Sequence, residues 1–166
     1  ATVRIPQAGG GVAAGGALAR RARCPQARLI GVSMENGAAM AASLRAGIPV
    51  GVREIETLAD SLGGGIGTEN RHTFAICRDL LDDVVQIDEG AIYGAMRRLY
   101  WDARLIAEGG AAVGIAALAS GKVTPRGKVV SLITGNNVDM AQFTDVITQK
   151  PVKVGEKWIG GQADVA

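Results

Sequence analysis

Aromatic residues are scarce: Phe, Trp and Tyr together make up 4% of the 166 residues. An interior of Ala, Val, Leu and Ile is therefore expected. Cysteine is nearly missing, with Cys24 and Cys77 the only two. That excludes a disulfide framework and fits a reducing, cytoplasmic setting. His72 is the single histidine, whereas a transition-metal site needs several ligands. No such set is visible, so no metal is expected and His72 reads as a structural or surface residue. Neither charge sign is in excess, since 18 Lys and Arg stand against 16 Asp and Glu for a net +2. That balance argues against nucleic acid or a membrane surface as partner. No apolar run reaches the length of about 18 residues that a membrane-crossing helix needs. The G-x-S-x-G elbow of a serine hydrolase is absent too. The chain opens on Ala1, inside a strand pattern and without a leader-like segment, which predicts a processed, truncated or partial chain.

What is present is glycine, 24 residues of it without a fixed period, and an alternation of two kinds of segment. Extended, apolar stretches read as strands at "TVRIP" (2–6), "ARLIGVS" (27–33), "DVVQID" (83–88) and "GKVVSLIT" (127–134), the second and last of them buried. Helices are expected at 12–23, 36–47 with Gly47 as the stop, 71–81, 89–104, 108–121 and 137–147. The helix over 89–104 carries its apolar stripe on Ile92, Met96, Leu99 and Tyr100. Asp139 favours the first turn of the last helix. Residues 48–55 read as extended and 57–70 as a loop. Strands alternating with helices predict an α/β fold, a three-layer α/β/α sandwich with a mostly parallel sheet. The pattern stops at residue 147. Residues 148–166 are expected to be a C-terminal extension or a mobile end.

Ligands of such sheets bind beyond the carboxyl ends of the strands. The first strand runs into "PQAGGGVAAGG" (6–16), where consecutive backbone N–H groups and a helix start form an anion site. Glycine suits it because a Cβ would hold a phosphate off the backbone. A tight turn without a ligand is the other reading of the same residues. Gly9, Gly11 and Ala14 also meet a loose dinucleotide fingerprint, with Glu35 placed as a ribose-binding acid. That keeps open an NAD(P)-binding oxidoreductase domain. Three more stretches stand out. "SLITGNN" (131–137) ends a strand on a hydroxyl, Thr134. "IAEGGAAVG" (106–114) opens a helix of tiny residues on Glu108. "TLADSLGGGIG" (57–67) is a glycine-rich loop suited to passing near a cofactor, or simply to connecting two elements.

These four motifs, in this order over residues 2–147, resemble the fold-type II pyridoxal-phosphate enzymes, the threonine dehydratase and serine racemase group. "GVSMENGAAMAASLRAG" and "TLADSLGGGIG" look most like the ectoine and hydroxyectoine-utilisation dehydratases. The resemblance implies that residues 1–147 are the C-terminal part of the large, cofactor-binding domain. It implies pyridoxal 5'-phosphate as cofactor, with Ala8, Gly9, Gly10, Gly11 and Val12 cradling the phosphate. Ala8 stands where the family has a further glycine. Thr134 takes the role of the family's serine, hydrogen-bonding the pyridine nitrogen, and Asn136 replaces a glycine beside it. Glu108 faces the active-site region, with Gly109 in place of the family's proline. Relatives with a divalent-cation site carry carboxylates where this chain has Ser33 and Ala39, so no metal is implied.

The family's Schiff-base lysine belongs to an upstream segment. None of Lys122, Lys128, Lys150, Lys153 and Lys157 lies in such a context, so the chain holds no catalytic residue of its own on this reading. The implied whole is a lyase that removes the β-hydroxyl of a small amino-acid substrate and releases a 2-oxo acid and ammonia. The implied partners are the missing N-terminal part and a second copy in a homodimer. A non-catalytic fragment is the remaining alternative.

Overall fold

Four parallel strands form the sheet in the computed structural model, which describes residues 1–125 and 127–161. They are β1 (Thr2–Pro6), β2 (Arg28–Met34), β3 (Asp83–Ile87) and β4 (Val129–Ser131), in the spatial order β3-β2-β1-β4. Ile5 pairs with Gly31 across β1 and β2, and Arg4 with Ser131 across β1 and β4. The helices are α1 (Gly11–Arg23), α2 (Ala39–Ala46), α3 (Thr73–Leu80), α4 (Glu89–Ala103), α5 (Gly109–Ala119) and α6 (Met140–Ile147). A 3-10 turn lies at Asp60–Leu62.

Two apolar clusters cover the two faces of the sheet, as a parallel sheet requires. On one side Ile5 and Leu29 pack against Ala13, Ala14 and Ala17 of α1, Met40 of α2, and Phe74 and Cys77 of α3. On the other, Ile30, Val32, Met34 and Ile87 pack against α5, backed by α4 and α6. β2 shows the period-two alternation directly: Leu29 serves the first cluster, and Ile30, Val32 and Met34 the second. With few aromatics, small side chains let the layers approach. Gly114 of α5 lies so near the sheet that a Cβ there would collide with Ser131 Oγ. Beneath α5 the sheet also buries Arg4 at 2% exposure, and its Nε and Nη1 have no partner among the described residues. Burial pushes the guanidinium pKa down, since losing water disfavours the charged form.

Three expectations need correction. The strand over 127–134 is only three residues long, an edge rather than a buried strand, with Val130 49% exposed. Helix α2 starts at Ala39, not at 36, because Gly37 takes a left-handed φ of 75° that a helix cannot continue through. Most of the tail is ordered. Val152–Val154 (β5) and Lys157–Ile159 (β6) form an antiparallel hairpin, and Val152 and Val154 are buried in the cluster that α4 and α6 share. Tyr93 Oη donates to Lys150 O at 2.9 Å, and Trp101 Nε1 to Ile147 O at 2.9 Å, so α4 holds the start of the segment. Residues 162–166 of the expected extension lie outside the described residues.

The remaining expectations map onto elements. Gly47 closes α2 with φ 76°. Ile92, Met96 and Leu99 are buried and Tyr100 half-buried against Phe143. Asp139 caps α6, its carboxylate accepting from Gln142 N at 2.8 Å.

The strand order fixes where a ligand can go. From β1 the chain steps outward to β2 and β3, then crosses through α4 and α5 to place β4 on the other side of β1. The connections leaving β1 and β4 at their carboxyl ends therefore diverge. A crevice opens between them, the switch point at which α/β sheets bind ligands.

Candidate functional site

A cleft of about 300 Å³ occupies that crevice, lined by Pro6, Ala8–Ala13, Ser61, Leu62, Glu108 and Thr134. All seven residues singled out from the sequence (Ala8, Gly9, Gly10, Gly11, Val12, Glu108 and Thr134) are in its wall. Three loops bring them together: β1 to α1, the segment before α5, and the segment after β4.

The glycine loop is held from behind. Gly10 has φ 92°, a backbone that disfavours any side chain, and a Cβ there would lie 2.6 Å from Met40 Cε. Thr73 Oγ1 donates to Gly9 O at 2.8 Å, tying the loop to the start of α3. Cys77 packs against the same loop, its Sγ 3.9 Å from Gly10 O, and burial pushes its thiol pKa up. Gly9 and Gly11 differ from Gly10: a Cβ at either would meet nothing within 4 Å. The loop thus presents an open, side-chain-free surface at the N-terminus of α1, whose first N–H groups have no acceptor within the helix. No acidic residue occupies that first turn. The partial positive charge of the helix end is left for a ligand anion. This donor set and this empty rim fit a phosphate group.

Glu108 is at the N-cap position of α5, yet its carboxylate does not bond the helix N–H groups. It accepts instead from Ser61 Oγ at 2.7 Å. Its backbone N–H donates to Gly135 O at 3.2 Å, and Gly135 needs its missing side chain, since a Cβ would lie 2.7 Å from Glu108 Oε1. Gly109 and Gly110 admit the 57–62 segment: a Cβ on Gly109 would collide with the Leu58 carbonyl, and one on Gly110 with Ser61 Oγ. A proline at 109 would meet the same obstacle. Thr134 is exposed, with no hydrogen bond to its hydroxyl among the described residues. Asn136 keeps a negative φ, so no backbone strain follows from its replacing a glycine.

Ser61 and Leu62 are wall residues that sequence reasoning placed only as part of a glycine-rich loop. The serine among those glycines is the signal that could have singled one of them out. Other candidates lie elsewhere. Glu35 is exposed and tied to β3, its N–H donating to Ile87 O at 2.8 Å. His72 is exposed at the start of α3. Ser33 donates to Gln7 O at 2.8 Å, and Ala39 is buried. Among the described residues, no three His, Cys, Asp or Glu side chains gather as metal ligands. No helix of the structure is long and apolar enough to cross a membrane.

Comparison with known proteins agrees with this geometry. The family of pyridoxal-phosphate dependent enzymes matches residues 2–135. A Sinorhizobium fredii protein, provisionally named a threonine dehydratase, is 55% identical over 148 residues, 89% of this chain and 45% of the relative. The catabolic L-threonine dehydratase of Escherichia coli K12 is 37% identical over 147 residues, 87% of this chain and 44% of the relative. Among solved structures, maize serine racemase superposes with a TM-score of 0.78 at 29% identity, covering 89% of this chain and 46% of that one. The chain spans less than half the length of these relatives.

Proposed function

Because the chain belongs to the family of pyridoxal-phosphate dependent enzymes, we propose that it is the cofactor-holding part of a threonine dehydratase-like ammonia-lyase acting on a β-hydroxy amino acid. One observation carries this reading: the open backbone of Gly9 and Gly11 faces Thr134 and Glu108 across a single cleft at the switch point of the sheet. Pyridoxal phosphate bound there supplies the electron sink that lets an amino acid lose its α-proton and then its β-hydroxyl.

This chain's residues do the holding. The N–H groups of residues 8–12 and the start of α1 bind the phosphate. The glycines let it reach the backbone. The Thr134 hydroxyl, just beyond the carboxyl end of β4, hydrogen-bonds the pyridine nitrogen and leaves it unprotonated, which suits β-elimination more than full carbanion storage. No lysine lines the cleft among the described residues, so the Schiff-base lysine and the proton transfer it performs come from the rest of the enzyme. The finer identity, an ectoine or hydroxyectoine-utilisation dehydratase, draws its support from residues 31–47 and 57–67, the homodimer from the resemblance to the family, and a cytoplasmic setting from the scarcity of cysteine. Titration of the full-length enzyme with pyridoxal 5'-phosphate tests the proposal. A saturable visible absorption band and ammonia release from a β-hydroxy amino acid are expected, and absence of the band would refute it.

A further inference from the structure

We infer that Ser61 is a positioning residue of this cleft: its hydroxyl holds the Glu108 carboxylate against Gly135 and thereby fixes the backbone that carries Thr134. The inference rests on the reading that the cleft takes pyridoxal phosphate. It starts from an oddity at the head of α5. A carboxylate at a helix start ordinarily turns back to the free N–H groups of the first turn. Glu108 does not, and its carboxylate makes no cap hydrogen bond. Ser61 Oγ donates to it instead, at 2.7 Å, a well-formed hydroxyl–oxygen hydrogen bond.

The donor stands on a firm base. Its 3-10 turn follows buried Ala59 and ends on buried Leu62. Leu58 N donates to Glu89 Oε2 at 2.8 Å, and Ala59 N to Thr57 Oγ1 at 3.0 Å. Gly110 opposite is vacant enough to admit the serine oxygen, where a Cβ would collide with it. The acceptor in turn presses on the next segment. The Glu108 carboxyl group lies where a Cβ of Gly135 would be, 2.7 Å from Oε1 and 2.8 Å from Cδ. Gly135 directly follows Thr134. Ser61 and Glu108 also both line a second cavity, of about 270 Å³, whose wall contains none of the glycine-loop residues. The pair is the partition between the two spaces. Without the serine donor, the carboxylate is free to swing into that second cavity or back to its own helix, and Thr134 loses its backing.

The test uses the full-length enzyme with pyridoxal 5'-phosphate bound, comparing Ser61→Ala, Ser61→Thr and Glu108→Ala. For Ser61→Ala we expect kcat to fall about tenfold, the weight of one well-placed hydrogen bond, with KM nearly unchanged. The circular dichroism of the bound cofactor should change as well, because its partner at the ring nitrogen has moved. Ser61→Thr keeps the donor and should restore both readings. On the Glu108→Ala background, Ser61→Ala should add nothing, since it acts through Glu108. A Ser61→Ala enzyme with wild-type kcat and wild-type dichroism overturns the inference. So does a full Ser61→Ala effect that persists without Glu108, or a threonine variant that behaves like the alanine one. If the wild-type enzyme forms no visible band, the cofactor reading itself falls, and the positioning role falls with it. A normal wild-type band beside a silent Ser61→Ala confines the failure to Ser61.

Discussion

Helices α1 and α5 both begin with glycine, for opposite physical reasons. At α1, Gly9 and Gly11 border empty space, and their missing side chains leave a surface for something outside the chain. At α5, the places where Gly109 and Gly110 would carry side chains are already filled, by the Leu58 carbonyl and by Ser61 Oγ. One glycine start makes room for a ligand and the other for the protein itself. Helices α4 and α6 use a third device, capping their first turns with Asp88 and Asp139. Glycine at a helix start is thus no index of ligand binding until the space in front of it is known.

Alanine substitution should split the two starts. Gly109→Ala sets a methyl group against backbone that cannot rotate away, and overpacking of this kind should cost about 3 kcal/mol, read as a lower midpoint in urea. Gly11→Ala should leave stability equal or slightly higher, because alanine favours the helix, while pyridoxal 5'-phosphate affinity of the full-length enzyme falls about tenfold, or ~1.4 kcal/mol. Equal stability losses in the two variants would erase the distinction. Asp139→Ala should cost about 1 kcal/mol in the same urea assay without touching cofactor affinity.

The smallest expected effect concerns the back of the α1 loop. Burial raises the Cys77 pKa, so the folded state keeps the proton to higher pH than the unfolded chain does. The sign follows: this contribution is complete below the ordinary thiol range near about 8.5 and is lost as pH rises through the raised folded value. Wild-type protein should therefore lose slightly more stability on alkalinisation than Cys77→Ala. Thiol labelling of the native protein should reach exposed Cys24 well before Cys77.

The strand and helix order was legible because aliphatic runs and glycine stops are local signals. "ARLIGVS" is apolar enough to demand burial, and Gly47 ends a helix by its own backbone preference. Seven of the eleven residues of the cleft wall were legible through motif order, which carries information about distant neighbours that periodicity does not. What stayed hidden was set by tertiary context. "GKVVSLIT" is as apolar as β2, yet only three of its residues form a strand, because it lies at the sheet's edge. The alternation in "VKVGEKWI" is too short to announce a hairpin without the α4 and α6 surface that buries Val152 and Val154. Arg4 gave no hint of burial, since arginine is seldom fully enclosed. Ser61 looked like one polar residue in a flexible loop, and only the approach of Glu108 gives it a role.

The cleft is closed by contacts between residues far apart along the chain. Thr73 reaches Gly9 across 64 positions, and Ser61 reaches Glu108 across 47. Joining ends so distant costs chain entropy before any contact repays it, and structures built from such contacts assemble slowly. Helices α1 and α5 can form early from local contacts alone, but the cleft between them exists only after all four strands have aligned. Recovery of ligand binding during refolding should accordingly lag behind recovery of helix content, which makes the site a clock for the last step of folding.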